Sequence, residues 1–538
     1  MDWIQLGLGV SVVVTLLAVL GVALSMHDRS VKKLVGERFI YGVPWGSLIS
    51  LVFVALVYLV VQSGFSDFRD PVAIPFRAWS YFYPLGIVAS PFTHASDGHL
   101  VGNLVGAVAV APIAEYAWGH YPREEGDRVW HRPWVRAVCC FPGAVLGVGL
   151  LTGIFGLGPV IGFSSVIFAF AGFALVRYPI TTLVASVAGQ SALFTVYRAL
   201  ETPVLVYVPG VGSPSAPGWA TIAIQGHAIG FAIGLAIGVA IFSRRGHRPD
   251  PFRFWIALVL FAFSKSLWAI YWFGDGSYIL LRAPGVVLVL VLSVLLTAAV
   301  AAPHSRPGNS LVTRAHRRIA GHGLLVVVLL VAVLAGPAVP ANLFVVADQD
   351  LEGEATVTVE DYTVTYAEDV ENELVSFVDL SLIGIDTSVE ANGVIVSSEQ
   401  RHVWMEAVTA RELSAAGESE VVLGGPAWRE TVTADRVGWR PIGNSTAYQV
   451  WLETADERTM AHTGGPSTAD AEIAGATVAI DPTDEEFAII VDDGDRASAA
   501  IPAEDESVTV GPLEIDREDD RLYAGVDDTR VPVASRTG

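Results

Sequence analysis

The chain has 538 residues, of which 52% are hydrophobic and only 16% are charged. A soluble domain usually carries about a quarter charged residues, so this composition excludes a chain that is soluble throughout. The charge is divided unevenly, because residues 346–538 contain 42 Asp and Glu against 11 Arg and no Lys. Such an acidic segment repels nucleic acid. The adjacent Cys139 and Cys140 cannot build a disulfide framework and disfavour a zinc site, so we expect neither metal nor cofactor.

Ten apolar runs approach or reach the roughly 20 residues that a membrane-spanning helix needs. They cover residues 3–25, 42–63, 99–118, 137–157, 161–176, 179–200, 219–242, 254–274, 278–301 and 322–345. Alternate loops between them hold 17 Lys and Arg residues, against four in the remaining loops. Because cytoplasmic loops are enriched in Lys and Arg, we expect a multi-pass protein of the cell membrane with its N-terminus outside. With ten spans, the C-terminal part also lies outside.

The acidic part alternates apolar and polar residues in short segments separated by turn residues, which predicts an extracellular all-β region of one or two β-sandwich-type domains. The segments are 355–366, 393–396, 447–452 and 486–491. Acid enrichment without Lys indicates a halophilic source, with a generic acidic extracellular domain as the alternative. Asn444-Ser445-Thr446 fits a glycosylation acceptor or a chance match. At 492–495 a solvated acidic turn is favoured over a calcium site, and His402 and His462 have no convincing metal-ligand spacing.

Polar residues inside spans are costly, so they are candidates for function. His99 and Asn103 stand four residues apart on the third span and share a face, with His94 just before them. A neutral imidazole and a carboxamide can both donate hydrogen bonds to a developing oxyanion. The alternative is a pair of interfacial histidines with a packing Asn.

Two further groups stand on the fifth and seventh spans. Ser164 follows Gly162 at the start of the fifth, after a Gly-Leu-Gly-Pro stretch that breaks the helix. The alternative is that Ser164 only packs between helices, because serines among small residues are common at helix interfaces in membranes. His227 stands about 12 Å into the seventh span, ahead of glycines at every fourth residue from Gly230 that would let another helix approach closely. All three spans start on the same side, so Ser164, His227 and the oxyanion donors suit acyl transfer by a dyad.

In order and spacing, these residues resemble the rhomboid intramembrane serine proteases. The resemblance is carried by His94, His99 and Asn103 on the second core helix, the Gly-x-Ser of Gly162 and Ser164 on the fourth, and His227 with its glycines on the sixth. Glu115 matches a Glu often found on that second helix. In this chain, Ser165 replaces a Gly and Phe168 replaces a Tyr. Phe168 could therefore stack on His227 without hydrogen bonding, and the loop Trp-Arg appears at best as Trp79-Ser80.

The resemblance implies a six-helix catalytic core over residues 42–242. An extra N-terminal helix and cytoplasmic loop (1–41) would precede it, and three more spans (243–345) would follow, with the β-rich domain (346–538) at the end. It also implies cleavage of single-span membrane proteins within the bilayer, by Ser164 as nucleophile and His227 as base. The loop 201–218 is expected to cap the site.

Two other functions remain open from the residues alone. One is a catalytically inactive relative that binds transmembrane helices and displays the β domain. The other is a transporter with a polar path along His227, Lys265 and Arg282, although the spans show no inverted repeat. The outer domain could recruit substrates, contact a surface layer or shield the membrane face.

Overall fold

The computed structural model describes residues 3–25, 33, 35–122, 128–204, 222–274, 277–301, 323–344, 355–371, 390–483, 486–526 and 529–537. The chain divides into two compact units. The helical unit comprises the described residues before Val346 together with Gly424–Trp428, and the β unit comprises Val346–Leu423 and Arg429–Gly538.

The helical unit contains twelve helices in its described part. They are α1 (Trp3–Ser25), α2 (Trp45–Val61), α3 (Pro84–Ala89), α4 (Asp97–Trp118), α5 (Pro133–Phe155), α6 (Ser164–Arg177), α7 (Pro179–Glu201), α8 (Ile224–Arg244), α9 (Pro251–Ser264), α10 (Arg282–Ala301), α11 (Gly323–Ala335) and α12 (Ala338–Phe344). Short 3-10 turns lie at Ile40–Gly42, Ile74–Phe76 and Val129–His131.

Six helical stretches in the described part are long and apolar enough to cross a membrane: α4, α5, α7, α8, α10 and Leu324–Leu343, which runs over α11 and α12. Three shorter apolar helices, α2, α6 and α9, have 10–17 residues, and α1 is a further apolar helix of 23 residues. The described part of the chain therefore contains the long apolar helices expected of a membrane protein, and a helix lies within each of the ten predicted runs.

The predicted span 254–274 is wrong in its second half. Helix α9 ends at Ser264, and Ser266 adopts a φ of +57°, which a continuing helix cannot accommodate. The chain then forms a hairpin of β1 (Tyr271–Gly274) and β2 (Ser277–Leu280) before α10 begins at Arg282. An unbroken apolar run cannot be distinguished from buried strand by hydropathy alone, which explains the error.

Helix α6 is the central element of the helical unit. Ten of its 14 residues are buried, although it is too short to cross a bilayer unaided. It packs closely on α8, because an added Cβ at Gly230 or Gly234 would lie 2.0 Å from the carbonyl oxygen of Ser165 or Ala169. The glycines of α8 therefore bring the two backbones into direct contact, as their four-residue spacing predicts.

A buried carboxylate connects α4 to α2. Glu115 is fully buried, and its carboxylate accepts hydrogen bonds from the Gly46 and Ser47 N–H groups at 2.7 and 2.8 Å and lies 2.6 Å from His120 Nε2. These bonds join α4 to the start of α2, where backbone donors lack helical partners. Glu115 therefore fixes α4 against the start of α2.

The described part of the β unit is built of antiparallel strands and one short helix, α13 (Ala410–Ala416). Its strands are β3 (Thr356–Val359), β4 (Tyr362–Glu371), β5 (Glu390–Ser398), β6 (Val403–Thr409), β7 (Glu418–Gly425), β8 (Trp428–Pro441), β9 (Ala447–Glu453), β10 (Arg458–Thr463), β11 (Ser467–Ile473), β12 (Ala476–Pro482), β13 (Phe487–Asp492), β14 (Arg496–Ala500), β15 (Ser507–Val510), β16 (Leu513–Glu518), β17 (Arg521–Val526) and β18 (Thr529–Thr537). All four alternating segments predicted from sequence fall on strands.

Three sheets make up this unit over the residues that the structure describes. The largest has eight strands in the order β10-β9-β8-β18-β17-β16-β15, with β7 pairing on β8. Strands β11–β14 form a second sheet whose buried side chains share one apolar core with the first, including Trp439, Ile480 and Ile515. Strands β3–β6 form the third around Trp404. The C-terminal region is thus all-β apart from α13 in its described part.

The acidic turn at 492–495 uses its carboxylates locally. Asp492 accepts a hydrogen bond from the Gly494 N–H at 3.0 Å, and Asp493 accepts one from the Asp495 N–H at 3.1 Å. The ring of His462 packs against two tyrosine rings. Asn444 is exposed, so a glycan could be attached there, and its acceptor role stays a prediction.

Candidate active site

Ser164 is the first residue of α6. The chain reaches it through Gly158 at φ +80° and Gly162 at φ +119°, both in the left-handed region that glycine tolerates. The Gly162 N–H is anchored to the Ser90 carbonyl at 2.8 Å. The nucleophile candidate therefore stands at a helix N-terminus, where backbone donors are free, on a loop whose path is fixed.

His227 lies in the first turn of α8, because the helix begins at Ile224, so the predicted depth of about 12 Å into the span is wrong. The Nε2 atom of His227 is 2.7 Å from Ser164 Oγ. If the serine hydroxyl donates to Nε2, the imidazole carries its proton on Nδ1. Nδ1 is buried and has no hydrogen-bond partner in the described part of the chain. The contact predicted between Ser164 and His227 is thus present, and the described residues supply no third acid.

An aromatic ring fixes the imidazole plane. Phe168, one turn after Ser164, stacks on His227 with ring centroids 4.3 Å apart and planes 10° from parallel. Phe261 of α9 contacts the edge of Phe168 at 5.5 Å. The predicted stacking is present, and it is reinforced from a helix beyond the proposed six-helix core.

Gly162, His99 and Asn103 converge beside Ser164. A Cβ added at Gly162 would lie 2.6 Å from His99 Cε1 and 3.7 Å from Asn103 Nδ2, so only glycine fits. Ser96 caps α4 by accepting the His99 N–H at 3.2 Å. Asn103 Nδ2 donates to the His99 carbonyl at 2.9 Å, which fixes the carboxamide. Their roles as oxyanion donors stay predictions.

His94 is placed differently from His99. It is fully buried, and its Nε2 accepts a hydrogen bond from the Phe163 N–H at 3.5 Å. Its own backbone is clamped by Gln62, which accepts from the His94 N–H and donates to the His94 carbonyl, both at 2.7 Å. His94 therefore supports the loop that carries Ser164. Gln62 was not predicted as part of the site. It is a lone amide in an apolar run, so the cost of a polar side chain inside a span also marks Gln62 in the sequence.

A cavity of about 700 Å³ joins these groups. Its walls include Ser164, His227, His99, Asn103 and Phe168. Ligand sites of several hundred cubic ångströms commonly enclose most of a small ligand. The cavity is thus large enough to hold a short stretch of peptide against the dyad.

The cavity wall also holds Arg77, Gln190 and Phe261, which the sequence did not place there, and Lys265, which only the transport hypothesis placed with His227. Arg282, named with Lys265 in the transport hypothesis, does not line the cavity and instead places its guanidinium 5.8 Å from the Trp268 ring centroid. The cavity therefore contains two of the three residues of that hypothesis, His227 and Lys265. Of the expected cap, 201–218, only residues 201–204 fall within the described residues.

No protein-family model, curated protein or solved structure matches this chain. The resemblance to rhomboid proteases consequently depends on the residues and geometry given above.

Proposed function

We propose that this protein is an intramembrane serine endopeptidase of the rhomboid type, cleaving transmembrane segments of single-span membrane proteins. The observation that carries the proposal is the 2.7 Å contact between Ser164 Oγ and His227 Nε2 in the wall of a cavity shared with His99 and Asn103. A hydroxyl activated by an adjacent base is the arrangement that covalent acyl transfer requires.

In the first half-reaction, Ser164 Oγ attacks the scissile carbonyl carbon while His227 Nε2 takes the hydroxyl proton. The carbonyl oxygen becomes an oxyanion, which the Ser164 N–H and the side chains of His99 and Asn103 would stabilise. The tetrahedral intermediate collapses as the C–N bond breaks, and His227 gives its proton to the leaving amine. An acyl ester on Ser164 remains.

In the second half-reaction, a water molecule attacks the ester carbonyl and gives its proton to His227. The C–O bond to Ser164 then breaks, and His227 returns the proton to Ser164 Oγ. We place the water supply, the N-terminus and the β unit on the outer side of the membrane, because the Lys and Arg residues concentrate in the opposite loops.

Labelling by a serine-directed fluorophosphonate tests the nucleophile. The wild-type chain should be labelled at Ser164, and S164A should abolish labelling. S165A is the matched control, because Ser165 is the neighbouring hydroxyl and lies near Gly226 rather than in the cavity wall. Equal labelling of wild type and S164A would refute the assignment. An inactive helix-binding protein would bind single-span peptides without being labelled.

The oxyanion assignment needs a separate test. Asn103→Ala should lower kcat about 100-fold, with a smaller change in KM, since an oxyanion donor acts mainly in the transition state. A change confined to KM would indicate that Asn103 only contacts the substrate.

A further inference from the structure

Two cationic side chains, Lys265 and Arg77, line the catalytic cavity, and no acidic side chain among the described residues lines it. Neither cation forms an ion pair with a carboxylate among the described residues, and the buried Arg77 Nε has no hydrogen-bond partner there. Charges in a low-dielectric site are normally paired, since an unpaired ion is costly to bury. The cavity therefore carries uncompensated positive charge.

Lys265 is held in a defined position. It follows the last residue of α9, and its Nζ donates a hydrogen bond to Gln190 Oε1 of α7. An ammonium group has three donors, so two remain for another ligand. One turn earlier on α9, Phe261 contacts Phe168, which stacks on His227. The end of α9, which lies outside the proposed catalytic core, thus places a cationic side chain in the cavity wall.

A peptide bound at Ser164 would run along the same cavity wall. Successive residues of an extended chain are about 3.3–3.6 Å apart, so side chains near the scissile bond can sample the wall on which Lys265 lies. A carboxylate there would pair with the two unused Lys265 donors. An amide of the same shape would lack the charge, and a basic side chain would be repelled.

We infer that Lys265, positioned by Gln190 and assisted by Arg77, selects substrates bearing an Asp or Glu side chain close to the scissile bond. The inference rests on the proposed function, since it assigns the specificity of the same cavity. It also gives α9, which lies beyond the proposed core, a part in substrate selection.

The test is a substrate scan. The substrates are single-span peptides in nanodiscs of zwitterionic lipid. Each peptide carries either Asp or Asn at one of the four positions on either side of the cleavage site. Wild-type protein should cleave the Asp form with a kcat/KM about tenfold higher at one or two positions. K265Q should bring this ratio to one, and K265E should favour a Lys substrate. R253Q, at the opposite, exposed end of α9, is the matched control and should retain the preference.

A binding measurement separates this inference from the proposed function. The affinity of S164A for fluorescent Asp and Asn peptides needs no catalysis, and it should show the same preference and the same loss on Lys265→Gln. Equal kcat/KM and equal affinity for both peptides at all positions would overturn the inference, even if Ser164 is labelled. So would a preference abolished by anionic lipid in the nanodisc, since the cations would then serve a lipid headgroup. A binding preference without Ser164 labelling would support the charge selection and overturn the protease proposal.

Discussion

Replacing Gly230 with Ala should disconnect the candidate dyad without touching either of its members. The new Cβ would lie 2.0 Å from the Ser165 carbonyl oxygen, and ordinary van der Waals contact begins at 3.4 Å. The Cβ is attached directly to the α8 backbone and the atoms it meets are backbone atoms of Ser165, so no side-chain rotation relieves the clash. Helices α6 and α8 must therefore separate by about 1.4 Å.

The separation acts directly on the contact between the two members of the candidate dyad. If it is transmitted in full, the 2.7 Å distance between Ser164 Oγ and His227 Nε2 becomes about 4 Å, beyond hydrogen-bond range. Misplacement of reacting groups by about 1 Å costs on the order of 100-fold in rate, so we expect at least that loss in kcat/KM. The rate of fluorophosphonate labelling in detergent should fall in parallel.

Gly147→Ala provides the control, because a Cβ at Gly147 of α5 would meet nothing within 4 Å. This variant should be labelled at the wild-type rate, which separates the effect of the helix contact from the general effect of adding a methyl group. Wild-type labelling of G230A would refute the argument that direct backbone contact between α6 and α8 positions the dyad.

Three further predictions concern the stacking ring, the framework and the β unit. Phe168→Ala removes the ring stacked on His227 and should slow Ser164 labelling about tenfold, whereas F168Y should not; equal rates in all three proteins would refute an orienting role. Glu115→Ala leaves buried N–H donors unsatisfied and should cost about 2–4 kcal/mol, measured by thermal unfolding in detergent; an unchanged midpoint would contradict this. In the β unit, two hydrogen bonds from Arg401 hold the pKa of Asp361 below its usual value, so their stabilisation is present above about pH 4 and lost as the pH falls through the lowered value. R401Q should therefore lower the free energy of opening of β4 and β5, measured by amide hydrogen exchange, by about 1 kcal/mol at pH 7 and by less at pH 3. An equal loss at both pH values would contradict a stabilisation that depends on ionised Asp361.

The candidate site was largely predictable because membranes penalise isolated polar groups. Ser164, His227, His99 and Asn103 stand out within apolar runs, and the alternation of basic loops predicts that their helices start on one side. The glycine spacing after His227 predicts which helix face makes close contact. These are local patterns, so they can be read from the sequence without knowing how the remaining helices pack.

The contribution of α9 could not be predicted in the same way. Hydropathy marks 254–274 as one apolar run, but it does not reveal the stop after Ser264 or the hairpin that follows. The sequence marks Lys265 as unusual without identifying Gln190 as its partner, because 75 residues separate them and the contact depends on tertiary packing. The sequence also singles out His94, but its place beside the Ser164 loop depends on contacts with Gln62 and Phe163.

The position of β18 has a consequence for biosynthesis. This strand lies between β8 and β17 and pairs with both, yet it follows all the other described strands in sequence. Until residues 529–537 have been synthesised, the facing edges of β8 and β17 have no partner strand. Unpaired strand edges can associate with other chains. The large sheet can therefore close only after the whole acidic region has been synthesised.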